Sequence, residues 1–190
     1  LASVTTATTR TGTNAWHGTA RSSMRHSALD ATPAFAATTP PGHSLQAGGT
    51  IGGPLVRDRS FVFASLDTRH VRDSNVVASP VSPGVFVPDR SDEQLFLGRL
   101  DHRWSDRQML TLRGSGQRFR WDQQPGGLTL PGSGTRYQTD VQSLLVTGAR
   151  TLSMRAVNEV RAQVSRYIDL RTDLSPSVFI SRAGYSTEGG

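Results

Sequence analysis

All 21 basic side chains of this chain are arginines, and several of them fall on the polar side of runs that alternate apolar with polar residues. Guanidiniums gathered on one wall do one kind of chemistry: they attract anions and bind them through planar, paired hydrogen bonds. Arg99, Arg103, Arg113 and Arg161, with Arg171 beyond them, are the residues so placed, and the first four are the candidate ligand-facing side chains. Other reactive groups point to no second chemistry. His17, His26, His43, His70 and His102 do not stand at metal-ligand spacings, and the absence of cysteine removes disulfides and thiolate metal sites. No Gly-x-Ser-x-Gly elbow and no paired carboxylates nominate an enzyme, so neither catalysis, metal nor cofactor is expected. The glycines of 48–53 invite a phosphate-loop reading, yet the Gly-Lys-Ser/Thr ending and the following helix are missing, and Pro54-Leu55-Val56 continues extended structure. The net charge of +6 allows an anionic partner, but the arginines are dispersed and no stacking module or recognition helix accompanies them, which argues against nucleic acid. The lack of lysine itself reads as codon usage in a GC-rich genome.

The elements that carry these arginines read as strands. Over 156–171, Ala156, Val160, Ala162, Val164, Ile168 and Leu170 share one face, while Glu159, Arg161, Gln163, Ser165, Tyr167, Asp169 and Arg171 share the other. Side chains alternate across a strand, so one face can meet a greasy solvent and the other water or polar protein. The same alternation predicts strands over 16–24, 45–55, 61–72, 93–104, 108–120 and 137–149. In the strand over 61–72 both faces hold apolar residues, Val62, Ala64 and Leu66 against Phe61 and Phe63, and its orientation stays open.

Connections between these strands run long, short, long, short, long, short. Those over 26–43, 73–92 and 121–136 are long and rich in Pro, Gly, Ala or Thr, whereas 56–60, 105–107 and 150–155 are tight and polar. A hairpin-built transmembrane β-barrel requires this asymmetry, with short turns on the periplasmic side and long loops outside. The fold class expected is all-β: an antiparallel meander of about seven strands forming part of a transmembrane β-barrel. Phe96 and Trp104 share a face eight residues apart, about 26 Å along a strand, or roughly 20 Å of membrane height at a tilt of about 40°, which suits two aromatic girdles. No apolar run reaches the ~18 residues of a membrane-spanning helix, and Leu1 to Arg10 has no signal-peptide pattern, so the chain reads as an interior piece of a longer one.

The segment Thr9-Arg10-Thr11-Gly12-Thr13-Asn14-Ala15-Trp16-His17-Gly18 resembles the point where the plug of a TonB-dependent outer-membrane receptor ends and its barrel begins. Gly12 and Asn14 suit a turn there because both tolerate positive φ. Further on, Ala28-Leu29-Asp30-Ala31 and the stretch Gly48-Gly49-Thr50-Ile51-Gly52-Gly53-Pro54-Leu55-Val56-Arg57-Asp58-Arg59-Ser60-Phe61-Val62-Phe63-Ala64-Ser65 resemble the second and third strands of the large receptors of this family, the class carrying a carboxypeptidase-regulatory-like N-terminal domain. Phe96-Leu97-Gly98-Arg99-Leu100-Asp101-His102 and Asn158-Glu159-Val160-Arg161 also resemble that class.

The resemblance implies a barrel of 22 strands around an internal plug, importing a bulky extracellular ligand with energy supplied by TonB. It divides this chain into the end of the plug and the junction, 1–15, and the first part of the barrel, 16–190. Implied partners are TonB, through an upstream segment, outer-membrane lipid and an unknown extracellular ligand, in the cell outer membrane. The alternative is a surface or secreted β-rich binding protein that does not transport.

Overall fold

The computed structural model describes residues 13–30, 39–124 and 126–174, together with the backbone of 180–182 and 185–187. Seven strands follow one another as β1 (His17–His26), β2 (His43–Val56), β3 (Ser60–Val76), β4 (Phe86–Ser105), β5 (Gln108–Gln123), β6 (Thr135–Ser153) and β7 (Ala156–Asp173). They form a single antiparallel meander in chain order, with β2 to β6 each bonded to the strand before and the strand after. A short hairpin, β8 (Ile180–Arg182) with β9 (Tyr185–Thr187), makes a separate two-stranded sheet. The expected all-β meander of seven strands is what the chain adopts. The junction residues up to Gly12 lie outside the described part, and so does Ala31.

The strands are longer than alternation alone delimits. The connection expected over 73–92 shrinks to 77–85, because β3 and β4 stay paired from Ser60 opposite His102 out to Val76 opposite Phe86. Proline misleads here. Pro88 removes a backbone donor, yet β5 joins β4 only from Arg90 inward, so residues 86–89 have a neighbour on one side and the missing N–H is tolerated. Pro54 escapes by the same route, since β1 pairs with β2 no further than Gly52 and a register shift follows between Pro54 and Val56.

Each short turn repeats one device. Register shifts fall at 54/56, 103/105 and 151/153, next to the turns over 57–59, 106–107 and 154–155. Two of the turns are closed by a serine two residues before an arginine: the backbone N–H of Arg107 donates to Ser105 Oγ at 3.3 Å, and that of Arg155 to Ser153 Oγ at 3.2 Å. Neighbouring hairpins are joined here as well, because Arg103 N–H donates to the Arg59 carbonyl and Thr151 N–H to the Arg107 carbonyl, both at 2.8 Å. Irregularities of this kind increase local twist and bend the sheet.

Register assigns every side chain to one of two faces. Val62, Leu100, Leu112, Val146 and Ala162 stand in one row across β3 to β7, and Ala64, Gly98, Gly114, Leu144 and Val164 in the next. This settles the ambiguous strand: Val62, Ala64 and Leu66 belong to the apolar face, while Phe61 and Phe63 point to the polar one. The polar face is the inner one. On it Phe63, Val87 and Asp101 are 7%, 3% and 4% exposed, whereas on the apolar face Leu66, Phe96 and Trp104 keep 55%, 49% and 59% of their surface. A curled sheet crowds its concave side and splays its convex side, so the apolar residues form a belt around the outer wall. The Phe96 ring lies over Gly116, its partner on β5, where any side chain would collide with it.

The few fully buried residues lie at the long-loop end. Val77 and Ser79 are 0% exposed, and the loop over 77–85 closes on itself through Val77 N–H to Val85 O at 2.9 Å. It also clips to the next loop, because Ala78 N–H donates to Gly127 O at 2.6 Å and Gly127 N–H to Val76 O at 2.8 Å. Mid-sheet has no such core, as expected of a wall with lipid on one side and a lumen on the other. An Arg placed at Ala162, in the row of Leu100 midway between Trp104 and Phe96, should therefore cost the full-length protein about 2–4 kcal/mol, while Arg161→Leu one residue before it should cost much less. Folding into lipid vesicles under urea measures both, and equal costs would reverse the assignment of faces.

Candidate functional site: the concave wall

All four candidate arginines lie on the concave face, but the fold brings only two of them together. Arg99 on β4 stands directly opposite Arg113 on β5. Like charges in that position repel, and Arg99 is compensated from its own strand. Its Nε donates to Asp101 Oδ2 at 2.8 Å and its Nη2 to Asp101 Oδ1 at 3.0 Å, a two-point pair with side chains only 15% and 6% exposed. Thr111, the residue facing Asp101 across β4 and β5, adds its hydroxyl to Oδ1 at 2.7 Å. Arg113 has no carboxylate within ion-pair distance among the described residues.

Arg161 lies in the same row as Asp101, separated from it by Thr111 and Thr147, hence three strand spacings or about 14 Å away. Its Nε donates to Glu159 Oε1 at 2.5 Å, and it is exposed on the edge strand β7. Arg103 sits at the short-turn end, also exposed. The four do not converge on one ligand-sized pocket.

Charge on this wall is matched. On the concave face of β1 to β7, Arg21, Arg25, Arg69, Arg99, Arg103, Arg113, Arg161 and Arg171 stand against Asp67, Asp73, Asp89, Glu93, Asp101, Glu159, Asp169 and Asp173. Several are bonded: Arg21 to Asp67, which Gln46 also bonds at 3.2 Å, Arg25 to Asp73 at 3.0 Å, and Thr139 to Asp169 at 3.1 Å. A wall so balanced is wet and polar without a strong field of either sign.

Two further arrangements were not visible in composition or spacing. Toward the long loops, Trp121, Tyr137 and Arg171 line up across β5, β6 and β7, with 5.5 Å between the ring centroids and 5.5 Å from the guanidinium carbon to the Tyr137 ring. Trp121 Nε1 donates to Asp89 at 2.5 Å, and Asn75 Nδ2 donates both to Asp89 at 3.3 Å and to the Gln124 carbonyl at 2.8 Å. The mouth of the wall is thus a bonded, rigid corner.

The second lies at the opposite end, where the chain enters the sheet. Asn14 Oδ1 accepts the backbone N–H of Asp58 at 2.9 Å, and its Nδ2 donates to the Asp58 carboxylate. Asp58 is the turn residue held at φ 61°, the one non-glycine with positive φ among the described residues. Asn14 therefore acts through its side chain, and the positive φ expected of it falls to Asp58 instead. Trp16 packs onto Gly53, where a side chain would clash with the indole. Together these contacts pin the residues before β1 to the short turn between β2 and β3.

On the outer wall, above the apolar belt, ion pairs return. Asp122, near the loop end of β5, takes hydrogen bonds from Arg136 at 2.6 and 2.7 Å. Those bonds hold its carboxyl below the usual range against the upward push of burial, with Arg136, Arg120 and Arg90 adding their charge. Among the described residues no group of three or more His, Asp or Glu could hold a metal ion.

Residues 8–85 match the family model of an outer membrane beta barrel domain. No curated protein and no solved structure matches the chain. The matched segment covers the residues just before β1, then β1, β2, β3 and the loop after it. With the convex apolar belt, it places the protein in the outer membrane as an antiparallel β-barrel wall.

Asp101 is the carboxylate on which the inner wall most depends. Asp101→Ala removes the two-point partner of the buried Arg99, which faces Arg113, and should cost about 3 kcal/mol, with Thr111→Val costing less. Urea unfolding of the full-length protein in vesicles measures it. A loss no larger than that of Arg161→Gln would mean that Arg99 does not depend on Asp101.

Proposed function

We propose that this chain is the start of the barrel of a TonB-dependent outer-membrane receptor, a non-catalytic importer that binds a ligand outside and moves it inward with TonB-supplied energy. The observation that carries the reading is the clamp at the chain's entry into the sheet. Asn14 on Asp58 and Trp16 on Gly53 fix the residues before β1 at the short-turn end of the wall. An upstream plug would be delivered from that point into the lumen, on the side where an energy-coupling partner would reach it. The residues involved, Thr13-Asn14-Ala15-Trp16-His17-Gly18, are those that resemble the plug–barrel junction of the family.

The concave wall supports the same reading. Its matched charges, with Arg99, Arg103, Arg113 and Arg161 distributed among carboxylates and amides, suit a surface that contacts a plug and water. Ligand recognition then belongs to the plug and the long loops, whose rigid corner at Trp121, Tyr137 and Asp89 offers a fixed rim. Under this reading about fifteen more strands complete the barrel, because β1 and β7 each have one open edge, and lipid satisfies no edge amide or carbonyl.

A wide barrel is closed only if something fills it. In planar bilayers the full-length protein should be silent, and removal of the segment upstream of β1 should open a large conductance. In cells, uptake should stop when TonB or the proton gradient is removed, while surface binding persists. Uptake indifferent to TonB would leave a passive surface-binding protein as the reading.

A further inference from the structure

Three polar side chains on the outer wall, next to the short turns, have no partner inside the fold. Gln108 on β5, Arg150 on β6 and Asn158 on β7 stand side by side in one row of the convex face. None of these side chains makes a hydrogen bond or an ion pair among the described residues. Glu159, the carboxylate nearest in sequence, points to the concave face and is held by Arg161. Gln108 is the first residue of β5 and Asn158 the third of β7, so the row sits where the strands leave the hydrocarbon on the periplasmic side.

One row deeper in the membrane stand Leu110, Gly148 and Val160. Gly148 leaves a notch between the other two, since a Cβ built on it meets nothing within 4 Å. Trp104, 59% exposed, closes the β4 side. Trp104, Gln108, Gly148, Arg150, Asn158 and Val160 thus line a depression of about 260 Å³, apolar toward the bilayer centre and rich in hydrogen-bond donors toward the periplasm. Gly98 and Gly114 open similar gaps in mid-belt, but Ala64, Leu144 and Val164 beside them offer no hold for a polar group.

The occupant must therefore be amphiphilic, with acceptors at one end and hydrocarbon at the other. We infer that this depression binds one phospholipid of the inner leaflet, with Arg150 taking its phosphate. A guanidinium binds phosphate oxygens as a planar fork, the amides of Gln108 and Asn158 donate to the ester carbonyls, and an acyl chain fills the notch at Gly148. Charge adds to the selection. Arg107 and Arg155 stand exposed on the two flanking turns without an ion pair among the described residues, against Asp106 alone, so an anionic headgroup is drawn in. The site requires only that the convex face meet lipid, and does not depend on TonB-driven transport.

The test uses the full-length protein in detergent micelles, with two probes that carry the same photoactivatable acyl chain, a phosphatidylglycerol and a diacylglycerol. Crosslinked peptides are located by mass spectrometry. In the wild type, phosphatidylglycerol should label the residues around Gly148 and Val160 about tenfold more than diacylglycerol does, a result that needs no variant to fold. Arg150→Gln should reduce the first probe to the level of the second. Gly148→Leu, which fills the notch without a clash, should suppress labelling at Val160 by both, whereas Gly98→Leu, filling a gap in mid-belt, should leave it unchanged. Equal labelling of the wild type by the two probes, no loss in Arg150→Gln, or equal losses in the two glycine variants would each overturn the assignment.

Discussion

Every feature of this wall follows from the need to satisfy backbone N–H and C=O groups where no water can reach them. In hydrocarbon an unpaired amide costs several kcal/mol, so a sheet that crosses lipid must keep its ladder unbroken through the belt. The structure does this. Register is continuous from Phe61 opposite Asp101 to Val76 opposite Phe86 between β3 and β4, and from Gln108 opposite Arg150 to Gln123 opposite Thr135 between β5 and β6. Shifts occur only beside the short turns, and the prolines at 54 and 88 lie where one neighbouring strand has already ended.

With the ladder fixed, side-chain period 2 divides the chain into two chemistries. One face collects Leu66, Phe96, Leu144 and Val164, exposed to a solvent that accepts them, with Leu100 and Leu112 half-buried among them. The other keeps Arg99 with Asp101 and Thr111, Gln117 with Glu93, and Gln163 with Ser143. Above the belt the division by hydrophobicity lapses, since both faces meet water, and a division by charge replaces it. The inner wall is balanced, whereas the outer one is rich in arginine.

Much of the fold was legible in the sequence, and the reasons are local. Strand alternation such as that of 156–171, and the short turns around Asp58, Asp106 and Met154, are written in neighbouring residues. Strand ends were not, because Pro88 reads as a terminator unless the reach of β5 is known, and that is a matter of pairing across the sheet. Parity along each strand was enough to put Arg99, Arg103, Arg113 and Arg161 on one face. It could not show that Arg99 faces Arg113, that Asp101 and Thr111 relieve that contact, or that Arg161 stands three strands away, since each depends on register between strands. Asn14 suits a turn by its backbone, but what matters is its side chain, which reaches Asp58 forty-four residues on.

The central claim is that one face of this sheet meets lipid and the other a wet lumen, with the boundary at Phe96 on the long-loop side. Cysteine introduced singly at each position from 90 to 104 of β4 in the full-length protein tests it most directly, because this segment has no native thiol. A water-soluble thiol reagent should label odd positions in preference to even ones between 96 and 104, more slowly at the buried positions 99 and 101 than at 97 and 103, and should label both parities from 90 to 94. Spin-labelled probes at the same positions should show the inverse pattern with a lipid-soluble relaxant. Labelling without a period of two across 96–104, or with even positions the more reactive, would contradict the account.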